Sequence, residues 1–392
     1  MDRARIHEGI RRMRFEDVLG RTERSELSQM EAADLLGVSE RTFRRWRDRH
    51  REQGLDGLAD RRLAPSLRRA SVTEIERMLG LYRDLYRGFT VKHFHEQLLK
   101  RHNYVLGYTV TKLHLQREGL VQRVRTRSAH RKKRPRRPMV GMLLHQDAST
   151  HAWLPGDARK YDLVVTMEDA TSAIYSAFLV EQEGTASSFR GLREVVARHG
   201  LFCSLYTDRG SHYFLTLQAG GKVSKTALTQ VGRALSQLGI EHIAAYSPQA
   251  RGRSERVFQT LQDRLPKEFK LAGISTVEAA NTWLRETFIA EHNKRFAVGP
   301  EQEGSAFVPD AAGAWREILC IQEDRMVGND NTVKWGRLSL QVPASRLRPH
   351  FVRTMVRVHA YPDGKLAVFW GPHRLADYDA LGCLVEPAKI AA

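Results

Sequence analysis

The 392-residue sequence predicts a multidomain chain. It reads as all-α helix-turn-helix domains at the N-terminus, a central α/β core on a mixed five-stranded sheet, and a small C-terminal β-barrel. Three observations predict this. Basic charge gathers at one end, hydrophobic spacing turns from helical to extended near residue 140, and short strands with Gly- and Pro-containing turns fill the tail. The expected boundaries are 1–65 and 66–121 for two helix-turn-helix domains, 122–138 for a linker, 139–310 for the core and 311–392 for the β domain.

Composition narrows the function classes. Net charge is +18, and residues 1–138 hold 34 Lys/Arg against 18 Asp/Glu, so nearly all of the excess lies in the first third. That asymmetry predicts a polyanion-binding module joined to a nearly neutral one. The alternative, a basic surface kept for solubility, does not explain the clustering. No apolar run is long enough to span a membrane, and no amphipathic basic helix suggests a membrane surface. The N-terminus lacks an apolar signal core, and the cysteines Cys203, Cys320 and Cys383 have neither disulfide-framework nor zinc-ligand spacing. A cytoplasmic protein is expected.

The first helical unit is written residue by residue. Ser28-Gln29-Met30-Glu31 is a capping box, Ala32, Ala33, Leu35 and Leu36 give an apolar face, and Gly37 permits the left-handed turn. Val38 fills the space between helices and Ser39 caps the next helix, in which Phe43 and Trp46 face inward. Arg41, Thr42, Arg44, Arg45 and Arg47 are left for phosphates and base edges in a major groove. A plain αα-hairpin would lack this pairing of turn and arginine-dense second helix. A second helix-turn-helix unit, winged or not, follows through Thr73–Tyr86, the Phe94 and Leu98 segment, and Val110–Leu115, with Lys112 on its surface.

From Arg123 to Pro138 the chain carries nine basic residues and no acidic ones, including Arg131, Lys132, Lys133, Arg134, Arg136 and Arg137. Such a segment buries too little to fold alone and suits tracking a phosphate backbone. Beyond it the expected order is βββ-α-β-α-β-α, over Met142–Gln146, Tyr161–Met167, Ala173–Val180, Thr185–His199, Phe202–Tyr206, Thr226–Leu238, Glu241–Ala245 and a helix from Gly252. Strands between Thr332 and Leu384, with turns at Tyr361–Gly364 and Gly371-Pro372, predict the small barrel.

Three carboxylates stand at informative places. Asp147 is expected to end the first strand, Asp208 to follow the fourth, and Glu255 to open the helix after the fifth. With the first and fourth strands adjacent, all three converge at one sheet edge. Clustered carboxylates repel unless a cation sits among them, and hard oxygen donors without Cys select Mg2+ or Mn2+. Two such ions about 4 Å apart suit in-line displacement at phosphorus. Taken singly, each residue could be a strand-end cap or a surface residue. Arg251, Arg253 and Arg256 surround Glu255 and are expected to hold phosphates. Asp169, in the turn after the second strand, is expected to be structural.

Asp-Arg-Gly-Ser at 208–211 and Ser-Pro-Gln-Ala-Arg-Gly-Arg-Ser-Glu-Arg at 247–256 resemble the second and third motifs of the DDE transposases. The chain is similar to bacterial insertion-sequence transposases with a retroviral-integrase-like core, and in architecture to the ISNCY type. The resemblance covers most of the chain. It implies a ribonuclease-H-like core, two Mg2+ ions per active site (Mn2+ as substitute) held by Asp147, Asp208 and Glu255, and no nucleotide cofactor. It further implies binding of double-stranded DNA, namely the element's terminal inverted repeats and target DNA, by a homo-oligomer of at least two copies. The activity implied is 3′-end cleavage followed by strand transfer.

Two features depart from that pattern. Forty-six residues separate Asp208 from Glu255, more than the class commonly leaves, and Leu217–Thr226 is the stretch expected to loop out. The class often places Lys or Arg two helical turns after the glutamate; here Gln262 stands there, with Arg264 as the candidate substitute. The rival readings are a catalytically silent DNA-binding regulator derived from a transposase, and a nuclease that cuts without joining.

Overall fold

The computed structural model describes residues 3–59, 70–123, 135–216, 221–224, 226–246, 252–310 and 313–385. It divides into two compact units, one of Met1–Leu85 with Asn103–Glu118, the other of Tyr86–His102 with Gly119–Ala392.

The first unit begins with α1 (Arg3–Glu23), α2 (Gln29–Leu36) and α3 (Glu40–Gln53). The capping box forms as expected: Glu31 N donates to Ser28 Oγ at 3.2 Å and Ser28 N to Glu31 Oε2 at 2.8 Å. Gly37 closes α2 at φ 65°, and Ser39 Oγ accepts from Thr42 N to start α3. α1 was not among the expected helices. It supplies the third wall, because Phe15, Val18 and Leu19 bury against Ala32, Ala33 and Phe43, with Trp46 packed beside them. α4 (Val72–Asp84) contacts α6 (Tyr108–Arg117), and Met78, Leu79, Tyr82 and Leu115 are buried.

The second unit contains α5 (Val91–Arg101), bound by polar contacts to helices of the core. His93 Nε2 lies 2.7 Å from Glu268 Oε1, and Lys100 Nζ donates to Glu291 Oε1 at 2.7 Å. Residues 66–121 are therefore divided between the two units.

The central sheet comprises β1 (Leu144–His151), β2 (Tyr161–Glu168), β3 (Ile174–Val180), β4 (Ser204–Thr207) and β5 (Glu241–Ala244), in the order β3-β2-β1-β4-β5. β2 pairs antiparallel with both β1 and β3, while β4 pairs parallel with β1 and β5 parallel with β4. With α7 (Thr185–His199), α8 (Gln230–Gln237) and α9 (Gly252–Ala272) this is the expected ribonuclease-H-like arrangement. Both faces of the sheet are covered, which is why β2 is buried along its whole length. Phe258, Leu261, Leu265 and Phe269 of α9 pack on Leu163, Val165 and Met167. Phe189, Leu192 and Val195 of α7 and Val231 and Leu235 of α8 pack on Leu144 and Leu205. α10 (Val277–Trp283), a π-helical turn Leu284–Phe288 and α11 (Ile289–Phe296) extend the α9 side.

The short helix α12 (Trp315–Ile318) precedes the tail. There β6 (Ile321–Met326), β9 (Met355–Ala360), β10 (Leu366–Trp370), β11 (His373–Tyr378) and β12 (Leu384–Val385) make one antiparallel sheet, ordered β12-β11-β10-β9-β6. Among the described residues it does not close into the expected barrel. Instead the hairpin of β7 (Thr332–Trp335) and β8 (Leu338–Gln341) lays Val333 and Leu340 against Val356, Val358 and Val368. A covering hairpin buries the apolar face without joining the edge strands.

Candidate functional site

β1 extends further than the sequence suggests, so Asp147 is inside the strand rather than at its end. Pairing with β2 continues to His151↔Tyr161, whereas pairing with β4 is limited to Leu144↔Leu205 and His145↔Tyr206. Continuing that parallel register by two residues sets Asp147 beside Asp208, just past the end of β4. Both carboxylates are half-buried.

The loop after β4 is shaped around Asp208. Gly210 N donates to Asp208 Oδ1 at 2.8 Å, and a Cβ on Gly210 would stand 3.0 Å from that oxygen. Thr207 Oγ1 donates to the Asp208 carbonyl at 2.9 Å, so the contact at 3.0 Å with His242 Nε2 has the imidazole as donor. Burial holds His242 down at about 4, neutral at ordinary pH. The backbones carrying the two aspartates are joined by a buried network. Tyr213 Oη donates to Gln146 Oε1 at 2.9 Å, and Gln146 Nε2 donates to Thr166 Oγ1 at 3.0 Å and to the Ser188 carbonyl at 3.2 Å. Burial pushes the Tyr213 phenol upward.

Glu255 is exposed in the first turn of α9. Seven residues on, about two turns along the same helix stripe, Gln262 Nε2 donates to Ser149 Oγ at 2.8 Å. Ser149 shares a sheet face with Asp147, and Asp147 lines one crevice with Ser254, Val257 and Phe258 of α9. The stripe bearing Glu255 thus lies over the strand bearing Asp147. Among the described residues no three His, Cys, Asp or Glu side chains are gathered closely enough to hold a metal ion.

Beside these groups lies Asp169, fully buried in the turn after β2. His145 Nε2 is 2.8 Å from its Oδ1, Arg137 N donates to its Oδ2 at 2.7 Å, and the Arg253 guanidinium pairs with it. Burial alone would raise this carboxyl, but those hydrogen bonds, His145 foremost, keep it well below the usual carboxylate range. Its neighbour Glu168, equally buried, is pushed upward by burial despite bonds from Gly141 N and Ala170 N.

The basic residues sort differently from their sequence grouping. Arg41, Arg44, Arg45 and Lys112 are exposed, while Thr42 and Arg47 are half-buried on α3. Arg44 meets Glu40 and Arg47 meets Asp48. Arg136 donates to the Asp169 and Ala170 carbonyls and to Ser172 Oγ. Arg256 is exposed, with Nε on the Gly252 carbonyl. Arg131, Lys132, Lys133, Arg134 and Arg251 lie outside the described residues. Arg264 does not substitute at the position of Gln262: it is buried, 2.7 Å from Glu96, because its phase turns it away from the stripe of Glu255. The long spacer after Asp208 closes on itself through a Thr216↔Val223 bridge.

Residues 18–69 match the family model of a helix-turn-helix domain. The chain is 29% identical to the provisionally named transposase y4bF of Sinorhizobium fredii (strain NBRC 101917 / NGR234), over 92% of this chain and 79% of that protein. It is 36% identical to the transposase for insertion sequence IS1202 of Streptococcus pneumoniae, over 42% of this chain and 34% of that protein. Similar solved structures include the HTLV-2 integrase catalytic core domain in complex with magnesium, at 14% identity and TM-score 0.29, over 38% of this chain and 88% of that one. Another is the simian T-cell lymphotropic virus intasome in complex with PP2A regulatory subunit B56 gamma, at 15% identity and TM-score 0.33, over 67% of this chain and 84% of that one. No helix among the described residues is long and apolar enough to cross a membrane. The chain is thus similar to named transposases along most of its length, and it carries a helix-turn-helix domain near its N-terminus.

Proposed function

We propose that the protein is a DDE-class transposase that binds its element's terminal inverted repeats and catalyses 3′-end cleavage and strand transfer. The observation that supports this most directly is the parallel β1–β4 pairing, whose register continued by two residues brings Asp147 level with Asp208, together with the bond from Gln262, on the stripe of Glu255, to Ser149 of β1. Two half-buried carboxylates, one in β1 and one just past the end of β4, repel when close, and a hard divalent cation relieves that repulsion. The donor set therefore fits Mg2+ or Mn2+, held by Asp147, Asp208 and Glu255. When bound, the ions supply electrophilic activation at phosphorus and activation of the attacking water or 3′-hydroxyl.

The chain's own residues do the rest. Arg41, Thr42, Arg44, Arg45 and Arg47 on α3, with Lys112, bind duplex DNA, and the basic linker with Arg251 and Arg256 tracks its phosphates. Arg253 takes a structural part instead. His242, neutral, keeps Thr207 and hence the Asp208 backbone in place. One phosphodiester is exchanged for another, so no nucleotide cofactor enters. The working form is a cytoplasmic homo-oligomer of at least two copies holding both DNA ends and the target.

The test uses the full chain, Mg2+ and a labelled duplex spanning the ends of the DNA segment that encodes it. Nicked and plasmid-joined products from the wild type, absent with Asp208→Asn, support the proposal. Salt-sensitive binding by both proteins with no cutting by either leaves the regulator reading in its place.

A further inference from the structure

We propose that Asp169 and Arg253 form a positioning pair that sets the rotation of α9 and thereby the direction in which Glu255 points. The inference rests on reading Asp147, Asp208 and Glu255 as one metal-holding set. Asp169 is 0% exposed, and its carboxylate bonds His145, the Arg137 N–H and Arg253, in segments that carry or adjoin the site. Its Oδ1 meets His145 Nε2, two residues before Asp147, and the Arg253 guanidinium, two residues before Glu255. Its own N–H donates to the Leu143 carbonyl at 3.0 Å, fixing the turn to the start of β1. Arg136 grips the same turn through three acceptors.

Helix geometry gives this pair its consequence. Residues 253 and 255 lie about 200° apart around α9, so anchoring Arg253 to the buried hub directs Glu255 away from it. A rotation of α9 by one residue, about 100°, would swing the stripe of Glu255 and Gln262 away from β1 and break the bond to Ser149. The Arg253 side chain is only 14% exposed and is committed to a carboxylate, which removes it from the phosphate-binding set. Loss of either partner breaks a buried ion pair, which is costly even though His145 and the Arg137 N–H stay on Asp169. Arg253 touches no reacting atom; it acts through the helix.

The test is a Mn2+ titration of the full chain without DNA, read by electron paramagnetic resonance, alongside amide exchange across residues 253–258. Arg253→Gln and Asp169→Asn should each raise the Mn2+ midpoint about 10–100-fold, the range for losing a group that orients a ligand. Arg253→Lys should restore most of the affinity, and the double variant should be no worse than Asp169→Asn alone. Exchange in the first turn of α9 should quicken in Arg253→Gln. Wild-type midpoints in Arg253→Gln overturn the inference, and this variant decides alone should Asp169→Asn not fold. A wild type that binds no Mn2+, or binding untouched by Asp147→Asn, overturns instead the metal-site reading beneath it.

Discussion

Gln262 on α9 donates a 2.8 Å hydrogen bond to Ser149 on β1, tying the stripe of Glu255 to the strand of Asp147. A neutral amide thus stands where a basic residue was expected, and it is spent on docking the helix. Gln262→Ala should lower cleavage by about tenfold, equivalent to roughly 1–1.5 kcal/mol for one hydrogen bond. DNA affinity in a filter-binding assay should stay unchanged.

Arg264 gives the opposite contrast. It is 6% exposed and pairs with Glu96, which Arg295 also meets at 2.8 Å. Arg264→Ala should cost about 3 kcal/mol in urea unfolding, the low end for a broken buried pair because Arg295 remains. The salt dependence of DNA binding should not change, whereas a phosphate contact would lower its slope.

The Gln146–Tyr213 network leaves no room near α7. A Cβ at Gly191 would lie 2.7 Å from Gln146 Nε2 and 3.0 Å from Thr166 Oγ1. Gly191→Ala should destabilise by about 1–3 kcal/mol through overpacking. The spacing of Asp147 and Asp208 should loosen with it, seen as reduced cleavage per folded molecule.

Stability should rise with pH between about 4 and 6.5. Burial holds His242 and His292 at about 4, and His292 is further lowered by Arg264 and Arg295. Unfolded histidines titrate near 6.5, so within that window the unfolded chain binds more protons and folding weakens as pH falls. Above the window this contribution is complete and flat. Thermal midpoints across pH 4.5–7 check it, and His292→Phe should flatten part of the slope.

On the DNA side, Arg41 and Arg45 are exposed on α3 in the segment that matches a helix-turn-helix domain. Replacing either with Ala should reduce the slope of log affinity against log salt by about 1 if it meets a phosphate.

Much of this was legible in the sequence because local rules carried it. The Ser28–Glu31 box, Gly37 and the strand–helix alternation from 144 to 272 each follow from spacing within a few residues. Asp147, Asp208 and Glu255 stood out because their flanking residues were distinctive. What escaped depends on partners far along the chain. α1 joins the first unit through Phe15 and Leu19, whose partners lie across two turns. α5 belongs to the core unit through His93 and Glu96, which bond residues more than 160 positions away. Arg253 looked like a phosphate ligand because nothing near it in sequence announces Asp169. In the tail no closed barrel forms among the described residues and a hairpin covers the sheet, since short alternating strands allow either way of covering one apolar face.

The central claim is that Asp147, Asp208 and Glu255 share one divalent-ion site. Replacing Mg2+ by Fe2+ and generating hydroxyl radicals at the bound ion cuts the polypeptide nearest the metal. A shared site gives cuts beside residues 147, 208 and 255 together, all suppressed by excess Mg2+. Cuts at only one of the three, or elsewhere and insensitive to Mg2+, would contradict it.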